Sequence, residues 1–113
     1  MLCSLCENIC AHMHFSITKL SNKKVFNVEL SGFTQQLMTS VSEMEYFQLQ
    51  QHYQNGDSEK LYATDIEFAP YYCPNCNLNY CSQHWHIQIT YDEGYYDAET
   101  GTCPKGHKKM LFD

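Results

Sequence analysis

The chain has 113 residues, of which 43% are hydrophobic and 14% aromatic, and its net charge at pH 7 is −6. This length predicts one domain with a modest core, which a bound metal would help to stabilise. The seven basic residues are all lysines, and the densest groups are Lys23-Lys24 and Lys108-Lys109. The sequence therefore shows no basic face of the kind that nucleic-acid-binding domains use, and nucleic acid is disfavoured as a partner.

Seven cysteines are many for so short a chain, and an odd number leaves one thiol unpaired in any all-disulfide scheme. Residues 1–6 have neither the basic nor the apolar region of a signal peptide. We therefore expect reduced thiols and a cytoplasmic, intracellular location. No apolar run approaches the roughly 20 residues of a membrane-spanning helix, so we expect no membrane association.

The cysteines divide the single domain 1–113 into three parts. Residues 1–14 and 71–113 carry all of them, and these two ends are predicted to form a shared metal core. Residues 15–70 contain no cysteine and predict an ordinary α+β insert between the ends.

The insert begins with a predicted hairpin, because apolar residues alternate over 15–20 and 26–30 on either side of a polar turn. Ser31-Gly32 ends it. A helix is predicted next from a stripe of apolar residues at spacings of three and four, namely Phe33, Leu37, Val41, Met44 and Phe47. The sequence does not decide where this helix begins, because Ser40-x2-Glu43 matches a capping box and would place the first turn after Ser40 rather than near Phe33.

The polar run Gln-Asn-Gly-Asp at 54–57 predicts the end of that helix. Residues 61–68 then predict a strand. Residues 85–91 alternate and predict another strand, followed by a turn and a return strand from Tyr95. The segment 91–99 mixes carboxylates with tyrosine rings, which suits a cationic side chain or a basic peptide. The alternative is a solvated turn whose tyrosines pack on the metal core.

Four closely spaced pairs of cysteine and histidine carry the strongest signal in the sequence. Zinc takes four such ligands in a tetrahedron, and one tight turn readily supplies two of them when two or three residues intervene. The pairs are Cys3-x2-Cys6, Cys73-x2-Cys76, Cys81-x2-His84 and Cys103-x3-His107. Eight ligands complete two sites, so the sequence predicts two bound zinc ions.

The pairs can share zinc in two ways. In a sequential arrangement the second and third pairs form one site and the outermost pairs form the other. In an interleaved arrangement the first pair joins the third, and the second joins the fourth. We favour the interleaved arrangement because it ties the two ends of the chain together around the insert. It also builds one site from the two turns in which proline follows the first cysteine, at Cys73 and Cys103.

The remaining ligand-type residues leave alternatives open. His86 rivals His84, because a strand would direct both imidazoles to the same face. His12 and His14 could replace a ligand or hold a further metal, and Cys3-x2-Cys6-x3-Cys10 could serve an iron–sulfur cluster. The abundance of histidine favours zinc, and the simpler interpretation of Cys10, His12 and His14 is a free thiol and two strand-edge imidazoles.

The order of the pairs, with four residues between Cys76 and Cys81, resembles the cross-brace and treble-clef zinc domains of the RING and ZZ type. The resemblance covers residues 3–6 and 73–107, and the long gap between the first two pairs departs from those families. It implies a binuclear treble-clef or ribbon-like zinc core. It also implies a role in protein modification, such as that of a ubiquitin-ligase-like accessory.

Catalysis is disfavoured, because eight ligands on two zinc ions leave no open coordination position. The sequence therefore predicts a small zinc-stabilised α+β domain with β-hairpins and one main helix. Its expected function is that of a zinc-finger-like protein-interaction module, an adaptor or regulator without its own catalysis. The alternatives are an accessory of a protein-modification pathway and a nucleic-acid-binding zinc protein. The expected partner is a protein or a basic peptide, and no oligomeric state follows from the sequence.

Overall fold

The computed structural model describes residues 1–112 and has the predicted α+β class. The strands in chain order are β1 (His12–Leu20), β2 (Lys23–Ser31), β3 (Leu37–Val41), β4 (Tyr72–Cys73), β5 (Leu78–Asn79), β6 (His86–Asp92), β7 (Tyr95–Thr102) and β8 (Lys108–Phe112). Two helices, α1 (Glu43–Gln54) and α2 (Ser58–Thr64), replace the single main helix that was expected, and a 3-10 helix spans Ile66–Phe68.

The insert contains an antiparallel sheet in the order β1-β2-β3. The predicted hairpin is confirmed, since β1 pairs with β2 along its whole length from His12 opposite Ser31 to Leu20 opposite Lys23. Phe26, Val28 and Leu30 alternate along β2 and are buried, so one face of this strand lies against the core. Residues 16–20, the second half of β1, are exposed, so it is mainly the central strand β2 that packs on the core.

The helix predicted from the apolar stripe is wrong in its first half. Residues 37–41 form β3, antiparallel to β2, and α1 begins only at Glu43. Ser42, rather than Ser40, caps α1 by accepting a hydrogen bond 3.2 Å long from the backbone N–H of Glu45. The spacing of the stripe fits a helix over a few residues, but the open edge of β2 offers residues 37–41 a complete ladder of hydrogen bonds. The predicted end is confirmed, with Asn55 as C-cap.

The strand predicted at 61–68 is also wrong. This segment lies in α2 and the 3-10 helix, and each of these begins at an aspartate. The Asp57 side chain accepts from the backbone N–H of Lys60 at 3.1 Å, and the Asp65 side chain accepts from that of Glu67 at 2.9 Å. These two caps are the local signals that favour helical turns over an extended chain.

The C-terminal sheet has the order β6-β7-β8, in which β8 was not predicted. The β6–β7 hairpin turns at Glu93 and Gly94, whose φ angles of 51° and 85° are those of a tight hairpin turn. Asp97 is an extra residue in β7, because Thr90 pairs with Ala98 while the next residue pairs with Tyr96. This sheet is the part of the fold that presents the predicted acidic and aromatic segment.

Two apolar clusters form the core. The larger joins β2, α1 and α2 and includes Cys3, Cys10 and Cys81, whereas the smaller surrounds Trp85 and includes Cys73 and Cys103. A buried polar contact also ties the insert to the C-terminal sheet. Glu99 of β7 is 2% exposed and accepts hydrogen bonds from the Thr34 hydroxyl and from the Gln35 amide, the latter at 2.8 Å. No helix among residues 1–112 combines the length and apolar character needed to cross a bilayer.

Candidate metal centres

The eight predicted ligands converge in two groups of four. Site A consists of Cys3, Cys6, Cys81 and His84, and site B consists of Cys73, Cys76, Cys103 and His107. Within each group, all four candidate ligand atoms lie within 4.8 Å of one another. The pairs are therefore brought together in the interleaved order, and the sequential arrangement is not the one that the chain adopts. That these groups bind zinc stays a prediction.

In site A, the imidazole of His84 lies close to two of the three thiols. Its Nδ1 lies 3.4 Å from Sγ of Cys3 and 3.2 Å from Sγ of Cys81. The fourth ligand atom, Sγ of Cys6, lies 3.7 Å from Sγ of Cys81. Residues from the first ten positions and from the start of the C-terminal segment therefore meet at one point.

Site B has the same composition and nearly the same dimensions. Nδ1 of His107 lies 3.2 Å from Sγ of Cys76, 3.3 Å from Sγ of Cys103 and 3.8 Å from Sγ of Cys73. The sulfur atoms of Cys76 and Cys103 are 3.8 Å apart. Each site thus offers three thiols and one imidazole nitrogen.

These distances fit a tetrahedral zinc ion. Bonds of about 2.3 Å to sulfur and about 2.0 Å to nitrogen separate the ligand atoms by about 3.8 Å for two sulfurs and about 3.5 Å for sulfur and nitrogen. The seven separations given above, from 3.2 to 3.8 Å, lie close to both values, and every other pair within a site is closer than 4.8 Å. They are far longer than a disulfide bond of about 2.05 Å, and all seven cysteines are free. The two clusters, each of three cysteines and one histidine, are therefore compatible with a zinc-binding domain.

The two Cys-x2-Cys turns are built alike. The backbone N–H of Glu7 donates to the carbonyl of Cys3 at 3.0 Å, and that of Asn77 donates to the carbonyl of Cys73 at 2.8 Å. Glu7 and Asn77 each have a positive φ, of 61° and 54°, which closes the turn just after the second cysteine. Short antiparallel pairs flank both turns, namely the bridge between residues 2 and 9, and β4 with β5.

The two Cys–His turns are also similar to each other. The backbone N–H of His84 donates to the carbonyl of Cys81, and that of Gly106 donates to the carbonyl of Cys103, both at 2.9 Å. Gly106 has a φ of 92°, which favours glycine and allows one more residue before the histidine of site B. Each site therefore combines one Cys-x2-Cys turn with one Cys–His turn, so the domain contains the same ligand unit twice.

Backbone amides favour the thiolate form at one cysteine of each site. Burial by itself raises the pKa of Cys3, but backbone hydrogen bonds from Cys81 and neighbouring residues outweigh it and lower the pKa to about 6. Burial likewise opposes ionisation of Cys103, whose pKa is nevertheless lowered to about 7 by hydrogen bonds to the backbone at His107 and Lys105. The thiolate is the form that binds a metal, so these amides favour the metal-binding form of Cys3 and Cys103, whereas burial raises the pKa of Cys73 to about 11.

The structure brings His84, and not His86, to the cluster of site A. His84 belongs to the turn that precedes Trp85, and only from His86 onward does the chain enter β6. The two imidazoles therefore do not share a strand face, and His86 is exposed outside site A. Sequence periodicity does not show this, because the alternating pattern includes His84 although that residue lies in the turn before the strand.

The other ligand-type residues near the N terminus belong to neither cluster. His12 and His14 are exposed on β1, and Cys10 is buried in the larger apolar cluster. Burial raises the pKa of Cys10 to about 12, which keeps its thiol protonated at neutral pH. Within residues 1–112, no third cluster of metal-type ligands is found.

The surroundings of Lys109 were not predicted from the sequence. Its Nζ lies 4.6 Å from the ring centroid of Tyr62 and 5.1 Å from that of Trp85, and no residue among 1–112 accepts a hydrogen bond from it. Burial lowers the pKa of Lys109 to about 7. Of Lys108 and Lys109, only Lys108 is therefore an exposed basic group, and no sequence signal distinguishes the half-buried Lys109, whose ammonium nitrogen is shielded from solvent, from its neighbour.

The acidic and aromatic segment forms the exposed end of the β6–β7 hairpin. We call this the hairpin surface and define it by Tyr91, Asp92, Glu93, Tyr95, Tyr96 and Asp97, all of which are exposed. Tyr95 and Tyr91 are 78% and 66% exposed, so these rings do not pack on a metal core. The aromatic residues Tyr71, Tyr72 and Trp85 are buried and do not contribute to this surface.

Searches among curated proteins and solved structures find no match for this chain. A family model described as "Domain of unknown function (DUF8328)" matches residues 1–113. Because the match spans both ligand-bearing ends and the insert between them, the chain belongs to this family.

Proposed function

We propose that the protein is a zinc-stabilised interaction module, an adaptor or regulator without its own catalysis, which binds a basic peptide or protein segment through the hairpin surface. The observation that carries this proposal is the position of the hairpin between the two candidate metal centres. His84 of site A lies two residues before β6, and Cys103 of site B follows the last residue of β7. Metal ions bound there would fix both ends of an otherwise exposed hairpin.

The charge of the hairpin supports a basic partner. Residues 85–102 contain no lysine or arginine, and the three carboxylates of the hairpin surface lie beside three exposed tyrosine rings. Carboxylates and ring faces both attract ammonium and guanidinium groups. The net charge of −6 extends this attraction to longer range and speeds association with a basic partner.

A structural role suits the composition of the candidate sites. Four protein ligands per zinc ion leave no position for substrate, which is the pattern of structural rather than catalytic sites. Bound zinc would contribute roughly 10–16 kcal/mol of apparent binding energy per structural site to folding. The repeated ligand unit supports a ribbon-like or treble-clef core, and the free cysteines favour a reducing, intracellular compartment.

A role as a ubiquitin-ligase-like accessory is the second candidate. It is favoured by the interleaved ligand pairs, which are the arrangement of the RING-type domains that the sequence resembles. Transfer of ubiquitin from a panel of charged conjugating enzymes to free lysine, accelerated by the zinc-loaded protein, would support this candidate over a passive module.

The proposed function is tested with a defined basic probe. We expect a labelled heptapeptide of alternating lysine and valine to bind the zinc-loaded protein, with fluorescence anisotropy as the measurement. Asp92→Asn combined with Glu93→Gln should weaken binding about tenfold, because two attractive charges near the peptide contribute on the order of 1.4 kcal/mol. Glu43→Gln combined with Glu59→Gln, at exposed positions in α1 and α2, is the control with the same charge change.

Equal affinity of the two double variants would refute the hairpin surface as the binding site, and absence of binding to the intact protein would refute the proposed function. Salt-sensitive binding of labelled single-stranded or duplex DNA or RNA in the same assay, unaccompanied by peptide binding, would support a nucleic-acid-binding protein instead.

A further inference from the structure

The outer edge of β6 is a long stretch of strand with a free backbone. β6 pairs with β7 on one side, and within residues 1–112 no strand or isolated bridge pairs with its other side. Six of its seven residues are exposed. In an antiparallel pair, alternate residues direct their N–H and C=O groups away from the partner strand. About half of the backbone groups of β6 therefore point outward with no partner from this chain.

The composition of β6 offers none of the usual protection against pairing with another chain. Edge strands commonly carry proline, lysine or an inward-facing charge, or are themselves kinked by a bulge. The sequence of β6, HIQITYD, contains no proline or lysine, and its one carboxylate, Asp92, is exposed at the end. The bulge between β6 and β7 places its extra residue in β7, at Asp97, and leaves β6 regular.

One face of β6 carries exposed apolar side chains. Ile87, Ile89 and Tyr91 alternate along the strand and therefore share a face, and Ile89 and Tyr91 are 44% and 66% exposed. A strand added beside β6 would cover part of both side chains, as cross-strand neighbours do in a sheet. The opposite face of β6 carries polar residues and ends at Asp92.

We infer that β6 is an acceptor strand for β-addition, in which an extended basic peptide pairs with its outer edge and continues the β6-β7-β8 sheet. This inference rests on the proposed function and specifies how the partner binds. A peptide of about seven residues, spanning about 23 Å, would match the length of β6.

The partner chemistry follows from the two faces and the charge. Residues of the peptide on the Ile89 side are apolar, and residues on the other side are lysine or arginine, which lie toward Asp92 and Glu93. A second copy of this chain is less suited as the occupant, because each copy carries a net charge of −6. Backbone hydrogen bonds to β6 provide the affinity, whereas the alternation of apolar and basic side chains along the peptide provides the specificity.

Backbone methylation of the probe tests pairing directly. Two versions of the lysine–valine heptapeptide carry N-methyl groups, one on every lysine and the other on every valine. In an added strand only one of these sets faces β6, so we expect one version to lose at least tenfold in affinity and the other to stay within about threefold. Equal affinity of the two versions would overturn β-addition.

A charged residue on the edge strand gives an independent test. Ile89→Lys introduces the kind of charge that protects natural edge strands and should weaken the unmethylated peptide by at least tenfold. Met38→Lys, on the edge strand β3 of the other sheet and 68% exposed, is the matched control and should change affinity less than threefold. Zinc content and thermal unfolding of both variants establish that the fold is retained.

The outcomes separate the two proposals. Binding that depends on Asp92 and Glu93 but responds neither to methylation nor to Ile89→Lys would retain the hairpin surface as a docking site and refute β-addition. Failure of the unmethylated peptide to bind would refute both proposals. Dimerisation of the protein in sedimentation that Ile89→Lys abolishes and Met38→Lys does not would assign β6 to a second copy and would also overturn the inference.

Discussion

Cys3 and His84 are 81 positions apart in the chain, and Sγ of Cys3 lies 3.4 Å from Nδ1 of His84. Two further contacts anchor the same N-terminal turn. Its Ser4 N–H donates to the carbonyl of Asn79 at 2.8 Å, and the sulfur of Cys6 lies 3.7 Å from that of Cys81. No regular strand or helix includes residues 1–10, so a metal in site A would add a further link between this segment and the rest of the domain, beside the burial of Cys3 and Cys10 in the larger apolar cluster.

The interleaved arrangement predicts how zinc content changes in paired variants. We expect two zinc ions per chain in native mass spectrometry and one in the variant with Cys3→Ser and Cys6→Ser. Adding Cys81→Ser should remove no further zinc, because all three residues belong to site A. Cys10→Ser, which alters the buried thiol outside both clusters, is the control and should keep two. Complete zinc loss in the triple variant, with the protein still folded by circular dichroism, would contradict this partition.

The two neighbouring histidines are expected to differ in their contribution to metal binding. His84→Ala removes the imidazole nitrogen of site A and should weaken one of the two zinc ions by at least tenfold in competition with a chromophoric chelator. His86→Ala should leave both affinities unchanged, since His86 is exposed at the start of β6 and outside the cluster. Comparable losses in the two variants would show that the ligand set of site A is different.

Acid is expected to release zinc and then to unfold the domain, because protons compete with the metal for thiolates. The pKa values of Cys3 and Cys103, about 6 and about 7, lie below the usual value of 9.0. For groups lowered in this way, the stabilisation is complete above pH 9.0 and is lost as pH falls through about 7 and about 6. Bound zinc shifts the loss to lower pH still.

A titration from pH 8 to pH 4 should therefore show zinc release together with loss of ellipticity. Refolding on return to pH 8 with zinc, but not with a chelator, is the control. Full zinc content at pH 4 would be inconsistent with thiolate ligands.

Glu99 is predicted to stabilise the contact between the insert and the C-terminal sheet. Glu99→Ala removes the acceptor of the Thr34 and Gln35 hydrogen bonds in a buried position and should lower the free energy of unfolding by about 2–3 kcal/mol. Thermal unfolding of the zinc-saturated protein would measure this as a decrease of roughly 10 °C or more. Glu93→Gln, at an exposed turn, is the control, and an equal shift in both variants would exclude a specific role for Glu99.

The spacing of the ligands allowed the candidate sites to be predicted, because a Cys-x2-Cys turn is a local structure that a few residues determine. The partition of the pairs needed an argument about chain ends, and the choice of His84 needed the turn before β6. Three features depend on tertiary contacts that no local pattern encodes. β3 forms because β2 provides an edge, Glu99 is buried because the loop carrying Thr34 reaches it, and the ammonium group of Lys109 is shielded beside two aromatic rings.

The misassigned segments have a different origin. Residues 61–68 contain alternating apolar residues that suit a strand, but Asp57 and Asp65 cap two short helical turns and decide the local conformation. The class of the fold was predictable because periodicity and turns recur throughout the chain. The number of helices was not, because α2 is only seven residues long and has no complete apolar stripe.

The interleaving of the ligands also determines an order of events during protein synthesis. Cys3 and Cys6 leave the ribosome before the other two ligands of site A and cannot complete a tetrahedral set until His84 has emerged, and site B must wait for His107. The first sheet and the two helices lie within residues 12–64, which are translated before either ligand set is complete. Capture of a metal by either site would therefore be delayed until most of the domain has been translated, and a nascent chain interrupted within the insert would carry the thiols of Cys3 and Cys6 without a complete binding site.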